Sequence, residues 1–542
     1  MTKLFKKAGA LAAACLAVSV AFPAAAAIPT LSAHVPAIVS GHAAQRLGAA
    51  DPTQRLRLAI ALPMHDQAGL DALLRDLYDP ASPNYKHYLS VAEFADRFGS
   101  SETDYAAATQ FFAAQGLNVT ATSANRYIID VEASVADIER VLHVTMGVYR
   151  HPTEARNFYA PDQEPSLDLT VPVLHIAGLD NYVLPTPRLV RAGAKNATPA
   201  KLTGSGPSGY YLGSDIRAAY YGGTVLTGAG QSVGLLELNG YNVKDVENYF
   251  TQFGPPLTTK IHGISTDGSG LLCPPSACDD TEQSLDIEYA IAMAPGLSTV
   301  AVYVGAGPES VLNRMASDNT SKQLSCSWGW GEDFVTDDNL FKEFAAQGQT
   351  FLTASGDSSS LAATGPWPEE DANLTAVGGT DLVTAAPGGA WLKETGWSQS
   401  TGGPALDQTI LIEKYQKPFI TAANGGSKIV RNVPDVSGDA NTDNYLCANL
   451  TCDGHWGGTS FAAPIWAGFI ALANQQAAAN GKPAVGFLNP TVYALARGTG
   501  YMTEFHDVKL GSNGIYNATR NYDLVTGVGT PFSTGLLNVL AP

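Results

Sequence analysis

The pattern of hydrophobic and polar residues divides the chain into two parts. In residues 28–183, segments with helical periodicity, such as LDALLRDLYDP and DYAAATQFFAAQG, alternate with strand-like segments, such as NRYIIDVEAS. This mixture predicts a small α+β domain with an antiparallel sheet.

The second part, residues 210–542, has the pattern of a parallel sheet. Apolar runs predict buried strands at QSVGLLEL, TVAVYVG, QLSCSWGW, QTFLTASG and NLTAVGG. Helical segments lie between several of them, at VKDVENYFTQF, SLDIEYAIAMA, ESVLNRMASD and DNLFKEFAAQG. We therefore predict a doubly wound α/β domain, with its active groups near the carboxyl ends of the strands.

Two segments fall outside these patterns. Residues 1–27 carry three lysines, an apolar run and a final stretch of small residues, which predicts a secretory signal peptide; an uncleaved anchor is the alternative. Residues 184–209 are rich in Pro, Gly, Ser and Thr and predict a processing linker open to proteolysis. Since no later apolar stretch reaches spanning length, we expect a secreted protein without a membrane partner.

The composition is that of a globular protein with an acidic balance. The chain has 542 residues, 45% of them hydrophobic and 15% charged, and its formal net charge is −18. Proteins that bind nucleic acid through phosphate contacts need the opposite sign, so we expect no nucleic-acid partner.

Four of the cysteines form two closely spaced pairs. Cys273 and Cys278 enclose four residues, as do Cys447 and Cys452. In an exported protein this spacing predicts two local disulfides, with a zinc site as the weaker alternative. Cys326 lies in an apolar stretch and is predicted to be a buried free thiol.

Ser460 is the candidate nucleophile. It lies in the sequence GGTSFAAPIWA, where a Gly-Gly-Thr-Ser turn leads directly into an apolar helix. Backbone N–H groups at a helix N-terminus favour a developing negative charge. An ordinary N-cap serine is the structural alternative, but the string resembles the nucleophile segment of the subtilisin-like superfamily.

Glu282 and Asp286 are the candidate proton-transfer groups. They lie four residues apart in TEQSLDIEYA, so one helix face carries both carboxyl groups. Their repulsion is relieved by a shared proton, which raises the pKa of one of them and suits proton transfer in acid. The alternative, a solvated acidic face, is opposed by the apolar remainder of the helix.

Asp357 follows the predicted strand QTFLT in the sequence ASGDSSS. If its carboxyl faces the Ser460 oxygen, it can donate a hydrogen bond to an oxyanion only while protonated. An aspartate in an Asx-turn is the alternative.

These motifs together resemble the sedolisin family of serine-carboxyl peptidases. The order of TEQSLDIEYA, ASGDSSS and GGTSFAAP is similar to that family, and residues 83–98 resemble its propeptide. The resemblance implies a subtilisin-like doubly wound catalytic domain preceded by an α+β prodomain. It implies Ser460 as nucleophile, Glu282 as general base and acid, Asp286 as the group that orients Glu282 and shares its proton, and Asp357 as oxyanion stabiliser. Glu237 and Trp328 match positions that extend the hydrogen-bond network behind the glutamate.

The resemblance also implies one Ca²⁺ ion near the C-terminus. The implied ligands are two aspartates and three backbone carbonyls, at Asp507, Val508, Thr519, Asn521 and Asp523. Such hard oxygen ligands suit Ca²⁺, and two acids that cap turns are the alternative. The family often has glycine where this chain has Thr519 and Asn521.

The sequence thus predicts a secreted, acid-acting endopeptidase made as an autoprocessed zymogen. We expect protein or peptide substrates, the prodomain as an intramolecular inhibitor whose carboxylate contacts weaken in acid, and a monomer. One alternative is a His-dependent subtilisin-like peptidase that uses His262, His455 or His506. The other is a catalytically silent secreted binding protein of the same fold.

Overall fold

The structure is a computed structural model that describes residues 30–192, 202–274, 277–331, 334–364 and 367–541. The predicted signal peptide and the middle of the predicted linker, residues 193–201, lie outside the described residues.

The N-terminal region contains helices and two antiparallel sheets. Its elements are α1 (Ala37–Ser40), β1 (Arg46–Ala49), β2 (Arg55–Ala61), α2 (Gln67–Leu77), α3 (Val91–Phe98), α4 (Glu102–Ala114), β3 (Asn118–Thr122), β4 (Ile128–Ser134), α5 (Val135–Leu142), β5 (Met146–Arg150), β6 (Asn157–Pro161), β7 (His175–Ala177), β8 (Thr186–Pro187) and β9 (Val190–Arg191). The order β3-β4-β2-β7 forms one sheet and β1-β5-β6 the other. The predicted antiparallel α+β prodomain is confirmed.

The C-terminal region forms a large, mostly parallel sheet with helices on both faces. Its elements are α6 (Gly213–Tyr220), β10 (Ser232–Glu237), α7 (Val243–Phe253), β11 (Lys260–Ser265), α8 (Thr281–Met293), β12 (Thr299–Val304), α9 (Pro308–Asp318), β13 (Gln323–Cys326), β14 (Trp328–Gly329), α10 (Phe334–Ala346), β15 (Thr350–Ala354), α11 (Leu361–Thr364), β16 (Thr375–Thr384), β17 (Trp391–Gly396), β18 (Gly403–Pro404), β19 (Asn432–Val433), β20 (Val436–Asp439), β21 (Asn444–Ala448), β22 (Thr451–Gly457), α12 (Thr459–Ala479), α13 (Asn489–Ala496), α14 (Tyr501–Glu504), β23 (Phe505–His506), β24 (Thr530–Pro531) and α15 (Ser533–Leu540).

The main sheet has eight strands in the order β11-β12-β10-β13-β15-β16-β17, and β20 also pairs with β16. Every pairing is parallel except that of β16 with β17. The predicted doubly wound sheet is confirmed. The sequence analysis did not predict β11, because KIHGIS has no continuous apolar run; it forms an edge strand, where partial exposure is tolerated.

Helices α8 and α12 form the buried layer that carries most of the candidate site. Every residue of α8 is buried, as the apolar remainder of that segment predicted. Gly468 in α12 permits close packing against α8, because a Cβ at Gly468 would lie only 2.7 Å from the Cβ of Met293 in α8. None of the described helices combines the length and hydropathy needed to cross a lipid bilayer.

The predicted linker is partly structured. Strand β8 pairs antiparallel with β14, and β9 pairs antiparallel with β22. Residues 186–191 therefore lie against the C-terminal domain, whereas the sequence analysis expected an accessible connection. The difference arises from long-range backbone pairing, which the local composition of a linker does not encode.

Candidate active site

Ser460 lies in the first turn of α12 and is fully buried. The preceding Gly458 has φ 124°, a conformation that favours glycine, and a Cβ there would lie 2.4 Å from the Arg188 carbonyl oxygen. The Ser460 N–H donates to that same oxygen at 3.0 Å. The turn therefore brings an extended peptide against the candidate nucleophile.

Glu282 and Asp286 lie on one face of α8, as their spacing predicted, and both are buried. Ser327 Oγ donates to Asp286 Oδ1 at 2.8 Å. Neither Glu282 oxygen completes a hydrogen bond within the described residues. The Ser460 hydroxyl is close to Glu282, but it is oriented towards the Ser327 carbonyl oxygen, 3.5 Å away.

The environment of this pair favours protonated carboxyl groups. Burial, followed by the charge of Asp286, raises the pKa of Glu282 well above its usual value, and the nearby Ser460 hydroxyl opposes this rise. Burial likewise raises the pKa of Asp286 to about 8. The pair therefore holds a shared proton at pH values where an isolated carboxyl group is ionised.

Glu237 and Trp328 are hydrogen-bonded to each other, and Glu237 lies beside Asp286. Glu237 ends β10, and the Trp328 Nε1–H donates to its Oε2 at 3.0 Å. Burial and the neighbouring Asp286 raise the pKa of Glu237 well above its usual value. Glu237, Asp286 and Glu282 thus form a row of interacting carboxyl groups that leads to Ser460.

Asp357 follows β15 and is held by the residue before Ser460. The Thr459 N–H and hydroxyl donate to Asp357 Oδ1 at 2.8 and 2.9 Å. Its Oδ2 is inaccessible to solvent and lies 2.8 Å from the Cβ position of Gly458, near the Arg188 carbonyl oxygen. Burial raises the pKa of Asp357 to about 7, and hydrogen bonds from Thr459 oppose the rise.

The sequence analysis missed Ser327. This residue follows β13 and lies between Cys326 and Trp328. Its hydroxyl binds Asp286, while its carbonyl accepts from the Ser460 hydroxyl and from the Arg188 N–H. The available signal was its place at the carboxyl end of a predicted central strand.

The candidate histidines lie elsewhere. His262 is on the edge strand β11, and the His455 ring contacts the Tyr210 hydroxyl at 2.7 Å. His506 stacks on Trp391 at 4.0 Å between ring centroids, and burial lowers its pKa to about 3. None of the contacts described for these imidazoles involves Ser460.

Both predicted cysteine pairs are joined. Cys273 and Cys278 have an S–S distance of 2.04 Å, and Cys447 and Cys452 one of 1.93 Å. Cys326 is a buried free thiol whose pKa is raised well above its usual value by burial. The four paired sulfurs are therefore not arranged as a zinc site.

The implied calcium residues come together in one loop. Asp507 Oδ1 accepts from the Asn521 N–H at 2.9 Å, and Asp523 Oδ2 accepts from the Thr519 N–H at 2.8 Å. Asn521 has φ 65°, so it keeps the left-handed backbone that glycine would adopt. Within the described residues, no group of three or more His, Cys, Asp or Glu side chains forms a metal cluster.

That donor set still suits a hard cation. Asp507 Oδ2 is buried and accepts no hydrogen bond among the described residues, although Lys509 Nζ lies 3.9 Å away. Two carboxylates with backbone carbonyls provide the oxygen ligands that Ca²⁺ takes. The residues present are therefore compatible with the ion that the resemblance implied.

Comparisons with known proteins find similar peptidases. Residues 42–182 match the family described as Pro-kumamolisin, activation domain. The chain is 29% identical over 551 residues to Kumamolisin of Bacillus sp. (strain MN-32), which covers 93% of this chain and 96% of that protein. It is 26% identical over 541 residues to Sedolisin of Pseudomonas sp. (strain 101), with coverage of 91% and 89%.

A solved structure shows the same relationship. Pseudomonas sedolisin, a serine-carboxyl proteinase complexed with two molecules of pseudo-iodotyrostatin, matches with a TM-score of 0.54 and 25% identity. The match covers 62% of this chain and 98% of that chain. The fold and these similarities are those of a serine-type peptidase with a subtilisin-like catalytic domain. Over most of its length the chain is similar to the serine-carboxyl peptidases of the sedolisin family, and its N-terminal region matches an activation domain.

Proposed function

We propose that the protein is a secreted endopeptidase that works in acid, forms an acyl-enzyme and is made as a zymogen that processes itself. The observation that carries this proposal is the row of buried carboxyl groups beside Ser460, together with the separate location of the candidate imidazoles. The interacting carboxyl groups share protons, so one of them can be ionised and accept the Ser460 proton while its neighbours stay protonated.

The proposed mechanism uses four side chains. Ser460 Oγ attacks the scissile carbonyl carbon while Glu282 takes the hydroxyl proton, and Asp286 shares the proton with Glu282. Glu282 then gives the proton to the leaving nitrogen, and water hydrolyses the acyl-enzyme in the reverse sequence. Protonated Asp357 and the Ser460 N–H donate to the oxyanion.

Glu237 and Trp328 have a supporting role in this mechanism. The indole N–H fixes the Glu237 carboxyl, which lies beside Asp286. A protonated Glu237 can donate to Asp286 and so favours the ionised form of Asp286. Both residues therefore position the proton without contact with substrate.

The proposed precursor has four parts: a signal peptide (1–27), an inhibitory prodomain (28–183), a processing linker (184–209) and a catalytic domain (210–542). The prodomain packs on α9 and α10 through an apolar cluster, which includes Leu70, Phe94, Leu312 and Phe341. Because β8 and β9 occupy the cleft at Ser460, external substrate is excluded until the linker is cut. We expect a monomer that acts on proteins and peptides.

We further propose one structural Ca²⁺ ion, held by the carboxylates of Asp507 and Asp523 and by backbone carbonyls at Val508, Thr519 and Asn521. The ion would tie the loop after β23 to the turn before β24. This placement gives it a role in stability and none in proton transfer.

A pH–rate profile on a denatured protein tests the assignment. Activity should be maximal in acid, and Ser460→Ala should lower it on the order of 10⁶-fold and leave the precursor uncut. His455→Gln is the matched control, because this histidine is near Ser460 in sequence and contacts Tyr210; its profile should be that of the wild type. A maximum near pH 7–8, where an unperturbed imidazole works, would contradict the carboxyl mechanism.

A further inference from the structure

The backbone of Arg188 is seated as a substrate would be. Its N–H donates to the Ser327 carbonyl oxygen at 2.8 Å, and its carbonyl oxygen accepts from the Ser460 N–H at 3.0 Å. The same oxygen and Asp357 Oδ2 both lie within 3 Å of the Cβ position of Gly458. The Arg188 carbonyl is therefore the one presented to the oxyanion donors.

The register of the linker places one peptide bond at the nucleophile. On one side, Thr186–Pro187 pairs with β14, and on the other, Val190–Arg191 pairs with β22. The Leu189 Cα lies 2.9 Å from the Cβ position of Gly458. The two pairings thus hold the chain on either side of the Arg188–Leu189 bond.

The Arg188 side chain fills a buried acidic pocket. It is 5% exposed, and its Nη2 donates to the Glu369 carboxylate at 3.1 and 3.4 Å. Glu369 itself is 0% exposed. Gly329 makes room for the guanidinium, since a Cβ there would lie 1.8 Å from Nη2. A buried carboxylate facing a buried guanidinium is a site built for a positive charge.

The other arginine of this segment serves as an internal comparison. Arg191 is 52% exposed and pairs with Asp453 at the surface, with its guanidinium 4.6 Å from the Trp456 ring centroid. Exposed pairs of this kind contribute little to selectivity. Of the two arginine sites, the buried pocket at Glu369 is therefore the one that can select a side chain by its charge.

We propose that Arg188–Leu189 is the bond that the precursor cuts in itself, and that Glu369 makes the mature enzyme select arginine before the scissile bond. The proposal rests on the proposed function. Ser460 Oγ forms an ester with the Arg188 carbonyl carbon, the C–N bond to Leu189 breaks, and the Leu189 nitrogen takes the proton delivered by Glu282. Water then hydrolyses the ester and restores the Ser460 hydroxyl.

The test uses the full-length precursor and, as a second substrate set, two peptide sequences, each made with arginine and with glutamine before the cut bond. After acidification, the first new N-terminus is sequenced at early times and should be Leu189. Each peptide pair differs in one residue before the cut bond, arginine or glutamine, and wild type should prefer arginine by about 10²-fold or more in kcat/KM. Glu369→Gln should reduce that preference to within about tenfold, mainly because the rate for the arginine peptide falls.

Glu370→Gln is the matched control. Glu370 is the adjacent acid, but its carboxylate accepts from the Leu406 and Asp407 N–H groups at 2.7 and 3.2 Å. The Glu370→Gln enzyme should prefer the arginine peptide as strongly as the wild type does. Gly329→Ala, which narrows the pocket, provides a second test and should lower the rate for the arginine peptide more than for the glutamine peptide.

The outcomes separate the two proposals. A first cut at Leu189 and a preference that depends on Glu369 support the inference. A precursor that processes elsewhere, with equal rates for both peptides, overturns the inference and leaves the peptidase assignment standing. A precursor that shows no Ser460-dependent cleavage of itself or of any peptide overturns both.

Discussion

Two buried carboxylates in the catalytic domain, Asp435 and Glu282, are treated in opposite ways. Asp435 receives a two-point contact from Arg431, with N–O distances of 2.6 and 3.1 Å, and further hydrogen bonds from the Tyr493 hydroxyl and the Ala376 N–H at 2.9 Å each. Glu282 completes no hydrogen bond within the described residues and lies beside other acids. Asp435 therefore stabilises the fold as an ionised carboxylate, whereas Glu282 is free to bind and release a proton.

The physical basis of this difference is the presence or absence of donors. A buried carboxylate with a guanidinium and N–H groups is compensated for the loss of water, whereas one without them is stabilised only by protonation. Such an uncompensated cluster is unfavourable for folding at neutral pH, so its place beside Ser460 points to function.

The largest effect is expected at Glu282. Because Glu282→Gln removes the group that takes and returns the proton, kcat/KM should fall by about 10³- to 10⁴-fold at the acid optimum. The melting temperature should not fall, since a neutral amide replaces an uncompensated acid. Steady-state kinetics and calorimetry check both points; a loss below tenfold would assign the proton transfer to another group.

The opposite result is expected at Asp435. Asp435→Asn leaves the Arg431 guanidinium without its carboxylate, which should lower the free energy of unfolding by about 3 kcal/mol. The pH–rate profile of the remaining folded enzyme should keep its shape. Urea unfolding and kinetics at several pH values measure this, and a displaced profile would mean that Asp435 couples to the active site.

Added calcium tests whether Asp507 Oδ2, which accepts no hydrogen bond within the described residues, is a ligand of the proposed Ca²⁺ ion. Calcium at 100 times its Kd should stabilise the Ser460→Ala precursor by about 2.7 kcal/mol. Chelation should remove this gain, and Asp507→Asn should abolish the response. Magnesium is the control cation, because it suits this mixed carbonyl and carboxylate set poorly. Equal stabilisation by both ions would argue against the proposed site.

Variants of Asp357 test whether its protonated carboxyl group donates a hydrogen bond to the oxyanion. With its pKa raised to about 7, the carboxyl is a donor below that pH and loses this ability above it. Asp357→Asn keeps a donor at every pH, so its activity at pH 7 relative to pH 4 should be about twofold higher than that of the wild type, whose carboxyl is about half ionised at pH 7. Asp357→Ala should lose about 10²-fold at both pH values. An unchanged ratio in the Asn variant would exclude the proposed role.

The smallest effect concerns the prodomain contact. The Asn125 amide donates to Glu343 at 2.8 Å, and burial raises the pKa of Glu343 to about 8. A raised carboxyl pKa adds stability below pH 4 that is lost as the pH rises towards 8. The Ser460→Ala precursor should therefore lose stability from pH 4 to 7, and Glu343→Gln should reduce this loss by at least about 1 kcal/mol in urea unfolding.

This change of stability with pH is opposite in direction to the one that the sequence predicted for the prodomain contacts. Acid was expected to weaken its carboxylate contacts, and the surface pair of Asp71 with Lys342 fits that expectation. The buried contacts have the opposite dependence: Ser310 donates to Asp130, and burial raises the pKa of Asp130 to about 7. The proposed acid activation is thus better explained by the carboxyl groups at Ser460 than by loss of the buried contacts at Glu343 and Asp130.

Much of the site could be predicted because its signals are local. The four-residue spacing of Glu282 and Asp286, the turn before Ser460 and the strand before Asp357 each specify where a side chain must lie. The partners could not be predicted in the same way. Ser327 and Glu369 acquire their contacts only when distant strands and loops meet, and no local spacing encodes the seating of Arg188.

The attachment of the linker on both sides of the cleft has a kinetic consequence. Residues 186–191 are held in the cleft by the fold of the same molecule, so their local concentration does not depend on how much protein is present. The proposed first cut should accordingly be a first-order event, with a half-time that is unaffected by dilution. Bystander peptides can compete only once this resident segment has left.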